Sequence, residues 1–180
     1  SASDTLIVYH HGLCEIPHDV VPRALALFSE LRHCDWIHLK GSHHGSLNQI
    51  ARHLIADRDT FLRSLVASAA VARRIARKLR SRYRRPVLCG ISMGGLVTLL
   101  ERSHEPLFDL YVPLVAGPDL EDVVLRSAFS RVVQGSVRRR ALRQGWAQRL
   151  DLTTHWDPEG PPVCALLARS DQLFRLPAQQ

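Results

Sequence analysis

The chain has 180 residues, with 24 Lys and Arg against 17 Asp and Glu for a formal charge of +7, and 46% of its residues are apolar. That balance excludes a disordered acidic tail and suits one globular domain, since roughly 100–200 residues build one core. No run approaches the roughly 18–20 apolar residues of a membrane-spanning helix, and no basic flank leads into an apolar signal segment.

The first element is Thr5–Tyr9, a short run rich in β-branched residues that stops at His10-His11-Gly12, as a buried parallel strand stops at a loop. Val20–Leu31 places Val21, Ala24, Leu25, Leu27 and Phe28 at three- and four-residue steps and predicts a helix. Asp35–Leu39 is a second strand, leading into the loop Gly41-Ser42-His43-His44-Gly45-Ser46. Asp57–Tyr83 contains no Gly or Pro, and Leu62, Leu65, Ala69, Ala72, Ala76 and Leu79 recur at helical spacing. Pro86 restricts Arg85 and ends that helix. Val87–Cys89 is a brief strand, Gly94–Leu100 a helix, Asp109–Val115 a strand weakened by Pro113, and Pro162–Ala168 the last strand. Residues 119–150 read as basic helices. This alternation predicts a single three-layer α/β domain over residues 1–180, with a mostly parallel sheet flanked by helices.

The strongest chemical signal is Gly90-Ile91-Ser92-Met93-Gly94-Gly95, a G-x-S-x-G sequence set between a strand and a helix. A serine on so sharp a turn is strained, and the small residues two before and two after it relieve the clash with neighbouring backbone. The turn presents the hydroxyl at the carboxyl end of the sheet, where the next helix aims its N-terminal N–H groups at developing negative charge. Ser92 is the candidate nucleophile and the Met93 N–H a candidate oxyanion donor. An ordinary helix start with Ser92 as N-cap is the simpler alternative.

In these residues the chain resembles the α/β-hydrolase superfamily of serine esterases and lipases, and the resemblance runs over nearly its whole length. Tyr9-His10-His11-Gly12-Leu13 is similar to the family's early strand and His-Gly loop, which implies a second oxyanion donor at Leu13 N–H and a loop-orienting role for His11. The segment from His38 to Ser46 looks like the family's next strand-to-loop stretch, with His38 where an acid is frequent. His43 and His44 lack a nearby acid or thiol to complete a ligand set, so no metal and no cofactor is expected. Ala165 to Leu173 is similar to the late strand with its acid, which implies that Asp171 orients the catalytic imidazole. Asp119 is the competing acid and reads as a helix N-cap.

The family's order of serine, acid, histidine is broken here, because nine residues follow Asp171 and none is histidine. By the same resemblance the usual first strands and the C-terminal strand with its histidine are missing. His155 is the last histidine in the chain and the candidate for a base arriving by another route. Met93 is the only methionine, and the chain opens Ser-Ala-Ser directly before a strand, which reads as a trimmed product.

Cys14, Cys34, Cys89 and Cys164 lie far apart, each in or beside apolar sequence, and predict buried free thiols in a reducing, cytoplasmic setting. The basic clusters Arg73 to Arg85 and Arg138 to Arg143 read as solvated helix faces, with no nucleic-acid motif. Residues 119–150 are expected to form a helical cap, with Phe129, Leu142 and Trp146 toward the substrate. The function implied is hydrolysis of a small carboxylic ester or related acyl bond. The alternative is a catalytically incomplete binding or scaffold domain of the same fold.

Overall fold

The computed structural model describes residues 3–55, 58–127, 151–171 and 174. Four parallel strands, β1 (Thr5–His10), β2 (Asp35–Leu39), β3 (Arg85–Ile91) and β4 (Leu110–Leu114), form a sheet in the order β2-β1-β3-β4. The connections are α1 (Val20–Leu25) from β1 to β2, α2 (Leu47–Gln49) and α3 (Arg58–Leu79) from β2 to β3, and α4 (Met93–Arg102) from β3 to β4. A short α5 (Leu120–Leu125) follows β4.

Period-two alternation divides the core between the two faces of the sheet. Leu6 and Val8 of β1 and Leu88 of β3 pack with Ala72 and Ala76 of α3, while Ile7, Tyr9 and Cys89 face Val21 and Leu31 on the opposite side. Ala69, Ala72 and Ala76 are all buried, and such small residues let the helix lie close to the layer beneath it.

The expected elements change at their ends. The predicted 20–31 helix stops at Leu25; Phe28 turns extended and opens a 3₁₀ turn over Ser29–His33, leaving Leu27 and Phe28 exposed while Leu31 packs. The long helix ends at Leu79, before the predicted Tyr83, because Tyr83 turns back into the core and donates from its hydroxyl to Asp35 at 2.5 Å. A π-helical segment, Ile50–Ile55, precedes α3.

The predicted last strand runs beside β4 but meets it only as two isolated parallel bridges, Tyr111 with Val163 and Leu114 with Leu166. The cause is visible in the ladder. Tyr111 N–H donates to Pro162 O at 3.1 Å and Cys164 N–H to Tyr111 O at 2.8 Å; Leu166 N–H then donates to Pro113 O at 3.1 Å and Val115 N–H to Leu166 O at 2.7 Å. The missing rung is the one Pro113 would donate toward Cys164, and proline has no N–H.

The thiols are free, but the expectation that all are buried fails: Cys89 is buried and Cys34 half-buried, whereas Cys14 and Cys164 are exposed. Cys14 lies in the loop after β1 and Cys164 on the outer segment beside β4, so apolar sequence neighbours did not bring cover. Among the described residues no helix is long and apolar enough to cross a membrane. Of the predicted cap, only 119–127 falls within the described residues, and Phe129, Leu142 and Trp146 lie outside them.

Candidate active site

The chain reverses direction in the sheet between β1 and β3: β1 connects outward to β2, and α3 carries the chain back across to β3 on β1's other side. In open parallel sheets the crevice at the carboxyl ends of strands at such a switch point is where ligands bind. Here it is bordered by the loop His11-Gly12-Leu13 after β1 and by Ser92 after β3.

Ser92 has φ 52 and ψ −111, a left-handed conformation that costs a side-chain-bearing residue about 1–3 kcal/mol. Neighbouring contacts hold it there. Its N–H donates to Leu114 O at 2.8 Å, and its carbonyl accepts from Leu96 N–H at 3.0 Å. The surrounding glycines are steric requirements. A Cβ on Gly90 would lie 2.3 Å from the Gly94 carbonyl carbon, and one on Gly94 would lie 2.0 Å from His10 O. The side chain of Ser92 makes no N-cap hydrogen bond to α4, so the helix-start alternative does not account for its hydroxyl.

Leu13, Ser92 and Met93 line one cavity with Phe61, Leu96, Val123 and Phe174, and the free volume left among them is about 40 Å³. That is room for about one water molecule. Phe174 is 3% exposed, and its N–H donates to Asp171 Oδ1 at 2.9 Å. Asp171 is thus hydrogen-bonded to a residue that lines the same cavity as Ser92. Sequence reading stopped at Leu173 and missed it.

The histidines around the first loop are brought together by topology. His11 donates from Nδ1 to Gly12 O at 2.7 Å and accepts at Nε2 from Gly41 N–H at 2.9 Å, so it ties the loop after β1 to the loop after β2. His10 donates from Nδ1 to His11 O and accepts at Nε2 from Ser68, both at 2.9 Å. Burial pushes the imidazolium pKa down to about 3 for His11 and about 4 for His10, so both are neutral and each uses one donor and one acceptor. His18 and His44 close on His11, each with ring centroids 4.4 Å away. His44 donates from Nδ1 to Ser42 O at 2.8 Å, and burial lowers its pKa as well. Among the described residues no group of three His, Cys, Asp or Glu has the arrangement of a metal site.

Asp119 caps α5, its Oδ1 accepting from Asp122 N–H at 2.8 Å. His155 ends the 3₁₀ turn Leu152–His155 and is exposed. The structure therefore brings Ser92, Met93 and Leu13 together, hydrogen-bonds Asp171 to Phe174 of the cavity wall, and leaves Asp119 and His155 outside the cavity lining.

No protein-family profile matches the sequence, and no curated protein matches it. Among solved structures, an esterase of Pyrococcus furiosus, Pf2001, superposes with a TM-score of 0.59 at 14% identity over 98% of this chain and 66% of its own. The chain has the α/β-hydrolase fold. A metagenome-derived lipolytic enzyme is also similar, with a TM-score of 0.43, 21% identity and coverage of 69% of this chain and 49% of its own. A Klebsiella pneumoniae protein assigned as a dienelactone hydrolase has a TM-score of 0.44, with 15% identity and coverage of 94% and 75%. The chain thus spans just under two thirds of the esterase's length and about half that of the lipolytic enzyme. Within the α/β-hydrolase fold, the crevice holding Ser92 lies at the strand ends on either side of the switch point.

Proposed function

We propose that the chain is a serine hydrolase domain acting on a carboxylic ester or related acyl bond, with Ser92 as nucleophile. The observation that carries this reading is the left-handed Ser92 at the switch point, in one cavity with Met93 and Leu13. A residue held in so costly a conformation by two backbone hydrogen bonds is one whose side-chain direction matters.

In the proposed reaction Ser92 Oγ attacks the acyl carbon and its proton passes to a base. The oxyanion forms against the N–H groups of Met93 and Leu13, and the N-terminus of α4 adds its dipole. Collapse expels the alcohol with that proton, leaving an acyl-serine that water hydrolyses by the same steps in reverse. Asp171 is the acid that orients the base; no histidine follows it in these 180 residues, and His155, exposed and outside the cavity lining, is a candidate only by a non-standard route. Residues 119–150 form the cap, for which the placement of Val123 in the cavity wall gives support. Free, partly exposed thiols support a reducing, cytoplasmic setting.

A second reading has its own observation. The cavity that an acyl group would enter, with Phe174 in its wall, leaves only about 40 Å³ free, as expected of a binding or scaffold domain that keeps the fold without the chemistry. Titration with a fluorophosphonate separates the two: stoichiometric labelling that is lost in Ser92→Ala supports the hydrolase, and labelling unchanged by Ser92→Ala places the reactive group elsewhere. Absence of labelling in the unmodified chain favours the scaffold.

A further inference from the structure

Glu15 is a carboxylate that the proposed reaction does not use, yet donors from β1, from the loop after it and from α1 converge on its side chain. Oε2 accepts from the Tyr9 hydroxyl at 2.8 Å and from Gly12 N–H at 3.0 Å, and Oε1 accepts from Val21 N–H at 3.3 Å. Burial, and then the carboxylate itself, raise the Tyr9 pKa, so the phenol stays a donor. Asp19 at the start of α1 makes no side-chain cap hydrogen bond, and Glu15 satisfies a first-turn N–H in its stead.

The backbone of Glu15 acts on the same loop. Its N–H donates to Gly12 O at 3.3 Å, closing the turn Gly12-Leu13-Cys14-Glu15, and its carbonyl accepts from His18 Nδ1 at 2.8 Å. Gly12 is thus held to Glu15 through both its N–H and its C=O. Gly12 in turn lies against the Ser92 turn: a Cβ placed on it would sit 3.6 Å from Ser92 Cβ and 3.4 Å from Ile91 Cγ2. Leu13, the next residue, lines the Ser92 cavity, and its N–H makes no hydrogen bond among the described residues. The turn therefore occupies the N–H groups of Gly12 and Glu15 and leaves that of Leu13 free.

We infer that Glu15 is a positioning residue for the oxyanion hole, its carboxylate fixing Gly12 so that the Leu13 N–H is held beside Ser92. This rests on the proposed roles of Ser92 as nucleophile and Leu13 as donor. A helix cap alone does not account for the arrangement, because the Val21 contact is the longest and the two shorter ones share the other oxygen. A donor fixed in advance needs no reorganisation as the oxyanion forms, and a misplacement of about 1 Å can cost about a hundredfold in rate.

The test is fluorophosphonate labelling of the purified chain, with probe binding and the rate constant of phosphonylation measured separately. Negative charge builds on the phosphonyl oxygen only as the serine adds, so Glu15→Ala should slow phosphonylation by about tenfold or more and leave probe binding nearly unchanged. Glu15→Gln should stay within about threefold of the unmodified chain, because one amide oxygen can keep both contacts of Oε2 and only the Val21 contact is lost. Tyr83→Phe removes another hydroxyl-to-carboxylate bond, to Asp35 at the amino end of β2, and should lower the urea midpoint without slowing phosphonylation. If circular dichroism shows that Glu15→Ala does not fold, Glu15→Asp takes its place with a loss in the same direction, since it keeps the charge but withdraws it from Gly12 by one methylene. Unchanged phosphonylation in the folded variant, a Glu15→Gln loss equal to that of Glu15→Ala, or a Tyr83→Phe loss as large would overturn this role while leaving Ser92 as nucleophile. No labelling of the unmodified chain, or labelling that survives Ser92→Ala, would overturn the hydrolase reading and this role with it.

Discussion

At the scale of single residues, the site is organised by backbone strain and close approach. Ser92 and Val115 both have positive φ, 52 and 51, and they flank the hydrogen bond from Ser92 N–H to Leu114 O. Glycine reaches Ser92's φ and ψ without steric cost, so Ser92→Gly should raise stability by about 1 kcal/mol, whereas Ser92→Ala keeps the strain and should not. Urea midpoints of the two variants check this, and equal midpoints would show that the turn carries no strain. Phe174 invites the complementary experiment. Phe174→Ala should open the 40 Å³ cavity, speed fluorophosphonate labelling of Ser92, and cost about 3–5 kcal/mol for the lost buried ring. Unchanged labelling in a folded Phe174→Ala chain would mean that Phe174 does not obstruct the serine. The glycines at 90 and 94 were legible in the sequence, because no other residue fits a backbone approach of that kind. The positive φ of Val115 was not, since a β-branched residue is among the last expected there.

At the scale of elements, β1 and β3 announced themselves as short apolar runs because both faces of the sheet are covered there and no polar alternation is required. Helix ends were harder to read. Tyr83 sits at helical spacing, but its hydroxyl finds Asp35 and its ring finds the core only if the helix stops four residues earlier. Such long-range partners leave no local mark. Pro113 carried a local mark whose consequence falls on a different segment: it leaves the 162–168 stretch with two bridges where a strand was expected. Pro113→Val would supply the missing N–H toward Cys164 O. The hydrogen bond is worth about 1 kcal/mol, and much of it is offset by the greater freedom of the unfolded chain without proline. Global stability should therefore change little while the Cys164 and Leu166 amides exchange more slowly. Faster or unchanged exchange at both would place the break in the ladder elsewhere.

At the scale of the whole molecule, four histidines from the end of β1 and two loops meet at the switch point, and only the topology brings His10, His11 and His18 of one segment onto His44 of another. The sequence showed two His pairs and gave no sign that they would cluster. Their burial couples the fold to pH. In the unfolded chain each imidazole titrates near its ordinary value of about 6.5, whereas folding lowers His10 to about 4 and His11 to about 3 and moves His44 in the same direction. The stability these neutral groups contribute is fully present above about pH 6.5. Below it the unfolded state binds protons that the folded state refuses, and stability falls by up to about 1.4 kcal/mol per pH unit for each histidine. The loss from each levels off only once the folded group itself titrates, near pH 4 for His10 and near pH 3 for His11. Glu101 acts in the opposite sense: burial raises its pKa, so the stability it contributes is greatest at low pH and declines as pH rises through its folded value. Between about pH 6.5 and 5 the three histidines outnumber that single carboxyl, and most carboxylates of the unfolded chain are still ionised. The urea midpoint should therefore fall steadily across this window, with net proton uptake on unfolding of more than one proton. Replacing His10 with Gln, which can keep a donor and an acceptor in place, should make the slope shallower by about one proton. A flat or rising midpoint over the same range would show that these imidazoles are charged in the folded protein, and the Gly41 N–H that donates to His11 Nε2 would then need a different acceptor.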